Sequence, residues 1–403
     1  MAIDNKDKKI LNVPPLRFPE FTEEWKAEQL DNIATLSKGI GISKEQLSED
    51  GEPCILYGEL YTKYKSEIIK QVESKTDING SKLKRSKAND VIIPCSGETA
   101  VDIATARCVP FDNILFGGDL NVISLHQYDG AFMSYQLNGK RKYDIARVAQ
   151  GVSIVHLYGE HLKAIKTYNP TLPEQQKIAK LLSLLDDRID TQNKIIEDLK
   201  KLKSAIIDYA INSLDTDFAK FGSLYETAGE GGTPTTSNAS FYDNGKIPFV
   251  KIDDLKQKYL TENKDFITEL GLQKSSAWLV PTRSILFSNG ATIGEITITT
   301  YPVCTKQGIL GIVPKSNIDV EFLYYFMSST YFKKAISRIV TEGTMKTAYL
   351  KDIANILCPI PTKEKQQGIA KMPSALNSKI DYEQSLLKLF IMQKQYLLRQ
   401  MFI

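Results

Sequence analysis

Clusters of lysine and arginine are the side chains of this sequence that could support recognisable chemistry. Such cations contact phosphate oxygens, and together with asparagine and glutamine they can read base edges when a loop or helix end enters a groove. Any one of them is more often a solvated surface charge, so they are candidates as clusters. The candidates are Lys82, Lys84, Arg85, Lys87, Lys140, Arg141 and Lys142 in the first half, and Arg283, Lys306, Lys333, Lys334, Arg338 and Lys346 in the second.

Motifs for catalysis or metal binding are missing from the sequence. It has no phosphate-binding G-x-x-x-x-G-K-[ST], no G-x-G-x-x-G and no H-E-x-x-H, and its three histidines, His126, His156 and His161, lack ligand-like spacing. The five cysteines never form a C-x-x-C pair, so neither a zinc site nor a disulfide framework is indicated. We therefore expect no catalysis, metal or cofactor in this chain.

Composition is that of an ordinary globular protein. The 403 residues suffice for two domains and further elements, and the net charge of +3 is too small to indicate nucleic-acid binding by itself. No run approaches the roughly 20 apolar residues of a membrane span, and the first ten residues lack the apolar core of a signal peptide. These features predict a cytoplasmic protein without membrane contact.

Two long stretches have the apolar spacing of coiled-coil helices. In residues 173–214 apolar side chains recur at alternating steps of four and three, and adding 191 to each position reproduces the pattern at the C-terminus. Polar residues interrupt both copies at matching places, which indicates an internal duplication. The predicted seam consists of Ile178, Leu182, Leu185, Ile189, Ile196, Leu199 and Ile206, and of Ile369, Leu376, Ile380, Leu387, Phe390 and Leu397.

The segments between these helices repeat as well. Residues 90–97 resemble residues 283–290, and residues 149–151 resemble residues 341–343, whereas the sequences between these anchors have diverged. Short apolar runs broken by turn residues predict strands, and residues 132–151 and 321–339 each predict a helix. Glycine loops at Gly97, Gly151, Gly290 and Gly343 suit close approach to a backbone, although a plain tight turn needs glycine equally.

The whole arrangement closely resembles the specificity subunit of Type I restriction–modification systems. The resemblance extends over essentially the whole chain, and the doubled helix is its most specific feature. Leu16, Arg17, Phe18, Pro19 and Trp25 near the N-terminus, and Gly232, Thr233 and Pro234 at the second domain, also match. The helix openings match at Pro170, Pro173, Glu174, Gln175, Ile178, Ala179 and Leu182, and at Pro361, Gln366, Gln367, Ile369 and Ala370.

The resemblance implies an α+β fold with two mixed α/β target-recognition domains, separated by two long helices that form an antiparallel coiled coil. The implied segments are an arm at 1–20, recognition domains at 21–172 and 215–362, and spacer helices at 173–214 and 363–403. Each domain would read one half of a split target in double-stranded DNA. Two methyltransferase subunits, which would hold S-adenosylmethionine, and restriction or translocase subunits would be the partners.

Geometry adds two expectations. A helix over residues 174–212 would span roughly 58 Å, enough to hold two readers about one turn of B-DNA apart, roughly 34 Å. The seam lysine Lys203 could face Glu383 if the helices run antiparallel, or both seam lysines could extend to solvent. Pro373 at a seam position should make the second helix start late or kink near residues 372–374.

Two alternatives stay open at this stage. The chain could be a coiled-coil scaffold that binds only proteins, in which case it would not retain DNA at low salt. A self-contained methyltransferase is disfavoured by the missing cofactor motifs.

Overall fold

The computed structural model describes residues 12–79, 82–290, 292–340 and 346–403. The chain forms two compact units, Met1–Asn193 with Ser385–Ile403, and Lys194–Gln384. Each unit contains a globular part and one half of each long helix, so the boundaries proposed from the sequence at 20, 172, 214 and 362 stay a prediction. Within the described ranges, no helix has the length and apolar character that a membrane crossing requires.

Unit 1 mixes short strands and helices around a four-stranded antiparallel sheet. In chain order its elements are β1 Lys26–Gln29, α1 Leu30–Ile33, β2 Ala34–Lys38, β3 Glu52–Ile55, α2 Glu59–Thr62, β4 Ser74–Thr76, β5 Lys84–Arg85, β6 Asp90–Pro94, β7 Ser96–Gly97, α3 Ala100–Ile103, β8 Arg107–Val109, β9 Leu115–Phe116, β10 Leu120–Leu125, α4 Gly130–Asn138, α5 Lys142–Val148, β11 Val155–His156, α6 Gly159–Lys163, β12 Lys166–Asn169 and the first half of α7 Leu172–Asn212. The main sheet has the order β2-β10-β6-β8, and a second sheet has the order β4-β3-β9-β5.

Unit 2 repeats this plan. Its elements are β13 Phe218–Lys220, β14 Tyr225–Glu230, β15 Ile247–Val250, β16 Tyr259–Leu260, β17 Asp265–Ile267, α8 Glu269–Gln273, β18 Ile285–Ser288, β19 Ile296–Thr299, β20 Cys304–Thr305, β21 Ile309–Pro314, α9 Val320–Ser328, α10 Thr330–Ile339, α11 Leu350–Ile353, β22 Leu357–Pro359 and the first part of α12 Lys363–Gln400. The sheet β14-β21-β18-β19-β16 corresponds to the main sheet of unit 1, and the terminal pair β13–β22 corresponds to β1–β12.

Alternating side chains of the central strands build two cores in each unit. In β6, Val91 and Ile93 belong to the core that packs against α4, whereas Ile92 belongs to a second core with Phe116. A strand turns successive side chains to opposite faces, so a strand buried on both faces is a continuous apolar run. The same division recurs in β18, where Ile285 and Leu286 belong to different cores.

The paired glutamines of the helix openings attach each long helix to its unit. Gln175 accepts a hydrogen bond from the main-chain N–H of Asp129 at 2.9 Å and donates one to the carbonyl of Pro170 at 2.8 Å. Gln366 repeats both contacts, with the N–H of Asp319 at 2.7 Å and the carbonyl of Pro361 at 2.9 Å. Asp129 and Asp319 are in turn the N-caps of α4 and α9. The repeated motif therefore has a structural basis.

Glu174, which has no equivalent in the second copy, binds residues of the N-terminal segment. Its buried carboxylate accepts two hydrogen bonds of 2.7 Å from Arg17 and one of 3.3 Å from Trp25 Nε1. The main-chain N–H of Leu16 also donates to the carbonyl of Gln400 near the end of α12. At the matching position of the second copy stands Lys365, which is exposed.

The two long helices run antiparallel in both units. In unit 1, Asp186 of α7 pairs with Lys394 of α12 at 2.6 Å, and the guanidinium of Arg188 lies 5.2 Å from the centre of the Phe390 ring. In unit 2, the Lys203 ammonium donates to Asn377 Oδ1 at 2.9 Å. As the residue numbers increase along α7, the numbers of their partners on α12 decrease. The predicted fold class, α+β with two domains and paired antiparallel helices, is confirmed.

The seam positions lie inward, but two expectations about them are wrong. Every seam residue named from the sequence is buried or half-buried. Lys203 contacts Asn377 instead of Glu383, and neither seam lysine extends freely into solvent, because Lys394 pairs with Glu67 and Asp186. Adding the 191-residue offset to Lys203 gives Lys394, and subtracting it from Asn377 gives Asp186. The two contacts therefore occupy equivalent positions of the duplication.

The expected late start of the second helix is also wrong. Helix α12 begins at Lys363 and continues across Pro373, which is buried. Proline removes one main-chain hydrogen bond, but side-chain contacts hold the next residue. The hydroxyl of Ser374 lies 2.9 Å from the ammonium of Lys258 and 3.1 Å from the hydroxyl of Tyr325. Tertiary contacts of the neighbouring residue thus accompany the proline within the helix.

Candidate nucleic-acid interface

The basic residues predicted in unit 1 do not form one site. Lys82 and Lys87 are exposed, while Lys84, Lys140 and Lys142 are half-buried. Arg85 forms a two-pronged ion pair with Glu52, at 2.6 and 2.9 Å. Arg141 donates to the main-chain carbonyl of Ile403 at 3.0 Å and pairs with Asp144 at 3.1 Å. Both arginines therefore have partners within the fold, and none of the seven lines a cleft described below.

Helix α10 carries the basic cluster of unit 2. Phe332 and Ile336 are buried against the core, so Lys333, Lys334 and Arg338 are left on the exposed side. Ser329 caps the N-terminus of α10, because its hydroxyl accepts a hydrogen bond from the N–H of Phe332 at 3.2 Å. An exposed cationic helix face of this kind suits contact with phosphates.

A cleft of about 380 Å³ lies beside α10, and we call it the basic cleft. Lys333, Ser337 and Lys346 provide its polar lining, and Phe287, Ile293 and Phe332 are among its apolar residues. Two predicted lysines from different segments thus meet at one place. The other predicted residues of this unit, Arg283 and Lys306, are exposed elsewhere in unit 2.

Unit 1 has a larger cleft of about 720 Å³, which we call the aromatic cleft. Tyr57 and Tyr61 line it together with Glu98, Asp102 and Ile154. Arg107 is its one basic lining residue; it is buried, and it donates to the main-chain carbonyls of Tyr64 and Ala106 at 2.8 and 2.9 Å. Carboxylates accept hydrogen bonds from the amino groups of cytosine and adenine, and aromatic rings stack on bases. This lining suits base edges better than phosphates.

A constrained hairpin stands at the rim of the aromatic cleft. The main chains of Gln150 and His156 exchange hydrogen bonds of 2.9 and 2.7 Å, which closes the loop between them. Gly151 has φ +123°, and a side chain there would meet the carbonyl of Ile154 at 2.1 Å, so the turn needs glycine. At the tip, Val152 is 95% exposed and Ile154 is 61% exposed. The predicted loops at Gly97 and Gly151 meet here, because β7 pairs with β11. Gly343 lies outside the described residues.

A third cleft, of about 520 Å³, is formed by residues that the sequence did not single out as a cluster. We call it the Tyr158 cleft, because that ring is at its centre. Ser37, Lys38, Tyr158, His161 and Lys163 line it, with Leu36, Gly159 and Glu160. These residues come from β2 and from the α6 segment, more than 110 positions apart. Only the folded topology brings them together, so spacing in the sequence could not have indicated them.

The described residues offer no centre for metal or thiol chemistry. Among them, no group of three or more histidine, cysteine, aspartate or glutamate side chains could hold a metal ion. The five cysteines are buried and unpaired. Burial raises the pKa of the Cys54, Cys95 and Cys304 thiols to about 11, and that of Cys108 to about 12, so these thiols stay protonated.

Comparison with known proteins gives the same two-part division. The family described as "Type I restriction modification DNA specificity domain" matches this chain twice, over residues 22–201 and 215–389. The chain belongs to that family. The two copies lie on the two halves of the duplication and together include most of both long helices.

Curated members of the specificity family are similar over different lengths. The chain is 31% identical over 173 residues to the MjaIX specificity subunit of Methanocaldococcus jannaschii, with 41% of this chain and 39% of that protein aligned. The putative MjaX specificity subunit of the same organism is 28% identical, with 55% of this chain and 54% of that protein aligned. The MjaVIII specificity subunit is 24% identical, with 93% of this chain and 91% of that protein aligned. The chain thus spans about two fifths of the length of the MjaIX subunit and about half of the length of the MjaX subunit.

Solved structures share the fold of this chain. The S subunit of a Type I restriction–modification system from M. genitalium superposes with a TM-score of 0.61 at 19% identity, covering 97% of this chain and 99% of that one. A structure described as the basis of complex assembly and conformational transition of the Type I system gives a TM-score of 0.59 at 15% identity, covering 95% of this chain and 98% of that one. At these identities the likeness concerns the fold alone.

Proposed function

We propose that this chain is the DNA-specificity subunit of a Type I restriction–modification complex, and that each unit reads one half of a split target. The observation that carries the proposal is the doubled family match on a duplicated frame whose two exposed faces differ. Unit 1 presents an aromatic and acidic cleft, and unit 2 presents a basic helix and the basic cleft. Two unlike faces on one repeated frame suit two unlike half-sites.

The test is to map methylated motifs in a host that carries this chain and its partner subunits. We expect one motif with two specified parts and an unread gap. Replacing residues 216–360 with the corresponding segment of another family member should change only one part. A continuous motif, no motif, or a change in both parts would contradict the proposal.

A methyltransferase subunit is the partner that the proposal requires, and it would bind the methyl donor S-adenosylmethionine. Within unit 1, helix α12 has an apolar stripe on the face away from the seam: Leu389 is 60% exposed, Met392 53% and Tyr396 55%. Apolar side chains aligned on one exposed helix face mark an interaction surface more often than isolated ones do. We assign this stripe to the methyltransferase.

Co-purification tests this assignment. The change of Leu389→Lys with Met392→Lys should reduce recovery of the methyltransferase with the chain at least ten-fold, because two charges would have to be buried. Met372→Lys, at a methionine of the same helix that is 57% exposed, is the control and should bind normally. Equal recovery with both variants would show that the stripe is not the docking site.

A further inference from the structure

The hairpin at the rim of the aromatic cleft carries aliphatic side chains that do not pack into the core. Val152 and Ile154 are exposed, whereas Val155, the first residue of β11, is buried in the core of unit 1. Successive side chains of an extended chain point to opposite faces, so Ile154 is directed into the cleft, which it lines. Because Gln150 and His156 hold the turn closed through their main chains, the two aliphatic residues form a fixed projection.

An aromatic wall faces this projection across the cleft. Tyr57 and Tyr61 line the cleft and are both exposed. The hydroxyl of Tyr61 donates to the carbonyl of Ser96 at 3.1 Å, and a side chain at Gly97 would lie 3.0 Å from that hydroxyl. These two residues form β7, which pairs with β11 at the base of the hairpin. One pair of short strands therefore positions both a tyrosine ring and the aliphatic tip.

The charges of the cleft exclude phosphate and favour an amino group. Glu98 and Asp102 contribute carboxylates, and the guanidinium of Arg107 is occupied by main-chain carbonyls. A carboxylate accepts a hydrogen bond from the exocyclic amino group of cytosine or adenine. Tyrosine rings can stack on a base only after it has left its neighbours in the duplex, because both faces of a stacked base are covered. A volume of about 720 Å³ leaves room for such a base.

We propose that the aromatic cleft of unit 1 holds one unstacked base of the target, and that Val152 and Ile154 enter the duplex as a wedge where this base has left. The site rests on the proposed DNA-binding function and adds a mode of readout to it. Tyr57 and Tyr61 stack on the base, and Glu98 accepts its amino group, so the base is a cytosine or an adenine. An apolar wedge also kinks the duplex, which makes the cost of binding depend on the deformability of the step.

A scan of duplexes with one abasic position tests whether a base leaves the stack. The full chain is assembled with its partner subunits, and each duplex carries the motif methylated by the wild type. One base of the unit 1 half-site, the part that is kept when residues 216–360 are exchanged, loses its partner in the opposite strand. Unpairing a base in advance lowers the cost of extruding it. Binding should therefore become about ten-fold tighter at one cytosine or adenine besides the methylated base, which the methyltransferase itself extrudes.

Two other results of this scan have different meanings. If no position except the methylated base gives tighter binding, the unstacked base is overturned while the specificity function stands. If the wild-type complex binds the motif no better than a scrambled duplex, the proposed function itself is contradicted.

Serine at both tip positions removes the wedge without altering the core. Val152→Ser with Ile154→Ser should weaken binding of the fully paired motif about ten-fold. The fluorescence of 2-aminopurine next to the extruded base should rise when the wild type binds, and should stay at the level of the free duplex with this variant. Ile40→Ser is the control, at an isoleucine of unit 1 that is 48% exposed and does not line the cleft, and should change neither quantity. A wild-type fluorescence change in the double variant would overturn the wedge.

Variants of the cleft lining test where the base is held. Tyr57→Ala should weaken binding about ten-fold because a stacking face is lost, and Tyr57→Phe, which keeps the ring, should bind as the wild type. Glu98→Ala should let the methylated motif accept other bases at the extruded position alone, whereas Glu49→Ala, at an exposed carboxylate outside the cleft, should leave the motif unchanged. Wild-type affinity in Tyr57→Ala with an unchanged motif in Glu98→Ala would overturn the proposal. Loss of a partner subunit from the Tyr57→Ala complex would show a protein-binding cleft and would equally overturn it.

Discussion

Two lysines at equivalent seam positions have different electrostatic surroundings. Lys394 is half-buried between Glu67 and Asp186, and Tyr135 donates a hydrogen bond of 2.7 Å to the same Asp186. Burial alone would lower the pKa of Lys394, but the charges of the two carboxylates raise it on balance. Lys203 faces the neutral Asn377, and burial lowers its pKa. The duplication has thus produced one ion pair and one pair between a lysine and a neutral amide.

Replacing each lysine by methionine should therefore have different consequences. Lys394→Met would leave two buried carboxylates without a cation, and we expect it to lower the free energy of unfolding of unit 1 by about 3–5 kcal/mol. Lys203→Met is the matched control and should change stability by less than about 1 kcal/mol, since it removes a charge that burial already disfavours. Urea unfolding, assigned to each unit by hydrogen exchange, measures both. Equal losses would contradict this account.

Buried tyrosines make the fold sensitive to alkaline pH. Burial, aided by Asp186, raises the pKa of Tyr135, and burial raises that of Tyr325 to about 12. Because the folded-state pKa exceeds the unfolded value near 10, the stability that depends on the neutral phenol is complete below pH 10 and is lost as the pH rises through the folded-state pKa.

Tyr135→Phe should make the loss of stability above pH 10 shallower by about 1.4 kcal/mol per pH unit, the value for one ionising group. The comparison is the free energy of unfolding measured in urea at pH 9, 10 and 11. Tyr143→Phe, at a tyrosine that is 64% exposed on α5, is the control and should keep the wild-type slope. The proposed role of Tyr135 fails if both variants show the same slope.

Among the secondary-structure elements, periodic apolar spacing predicted the structure correctly, whereas the residues that interrupt such a pattern did not. The long helices and the central strands follow from apolar spacing, because the same apolar side chains form the buried core. Each stretch predicted as a single helix is two helices, because Gly139 ends α4 and Ser329 caps α10. Pro373 was expected to delay or kink α12; the helix nevertheless begins at Lys363, and Lys258 and Tyr325, distant in sequence, contact Ser374 next to the proline. Such long-range contacts have no signal in the local sequence.

The candidate interface shows the same limit. Lys333 and Lys346 were predicted as separate candidates, and the structure brings them to one cleft. Arg85 and Arg141 look equally suitable in the sequence, but Arg85 pairs with Glu52 and Arg141 donates to the main-chain carbonyl of Ile403. Lys38 and His161 meet through topology alone. Composition identifies cations, whereas only the fold decides which of them are free to bind.

Helix α10 should supply much of the electrostatic binding of unit 2. Changing Lys333, Lys334 and Arg338 together to glutamine removes three exposed cations, and the slope of log affinity against log salt should become shallower by up to about 3. Binding should weaken for all sequences, with the motif unchanged. The control changes exposed Lys246, Lys264 and Lys274 to glutamine, for the same loss of charge. An equal effect of both triple variants would show that α10 has no special role.

At the scale of the whole molecule, the long helices are the elements that pass from one compact unit to the other. Helix α7 does so between Asn193 and Lys194, and α12 between Gln384 and Ser385. If these helices set the distance between half-sites, one heptad added to each at those points should lengthen the unread gap. Seven residues add about 10.5 Å of helix, and at 3.4 Å per base pair the gap should grow by at most about three base pairs.

The heptad keeps each seam in phase within about 20°, so the helices should still pair, whereas four added residues in one helix alone would misalign the two seams. Mapping methylated motifs in hosts that carry each variant measures the gap directly. We expect both half-sites to stay as in the wild type with the doubled heptad, and methylation to fall with the single four-residue insertion. An unchanged gap in an active doubled-heptad variant would mean that the spacing is set elsewhere than in these helices.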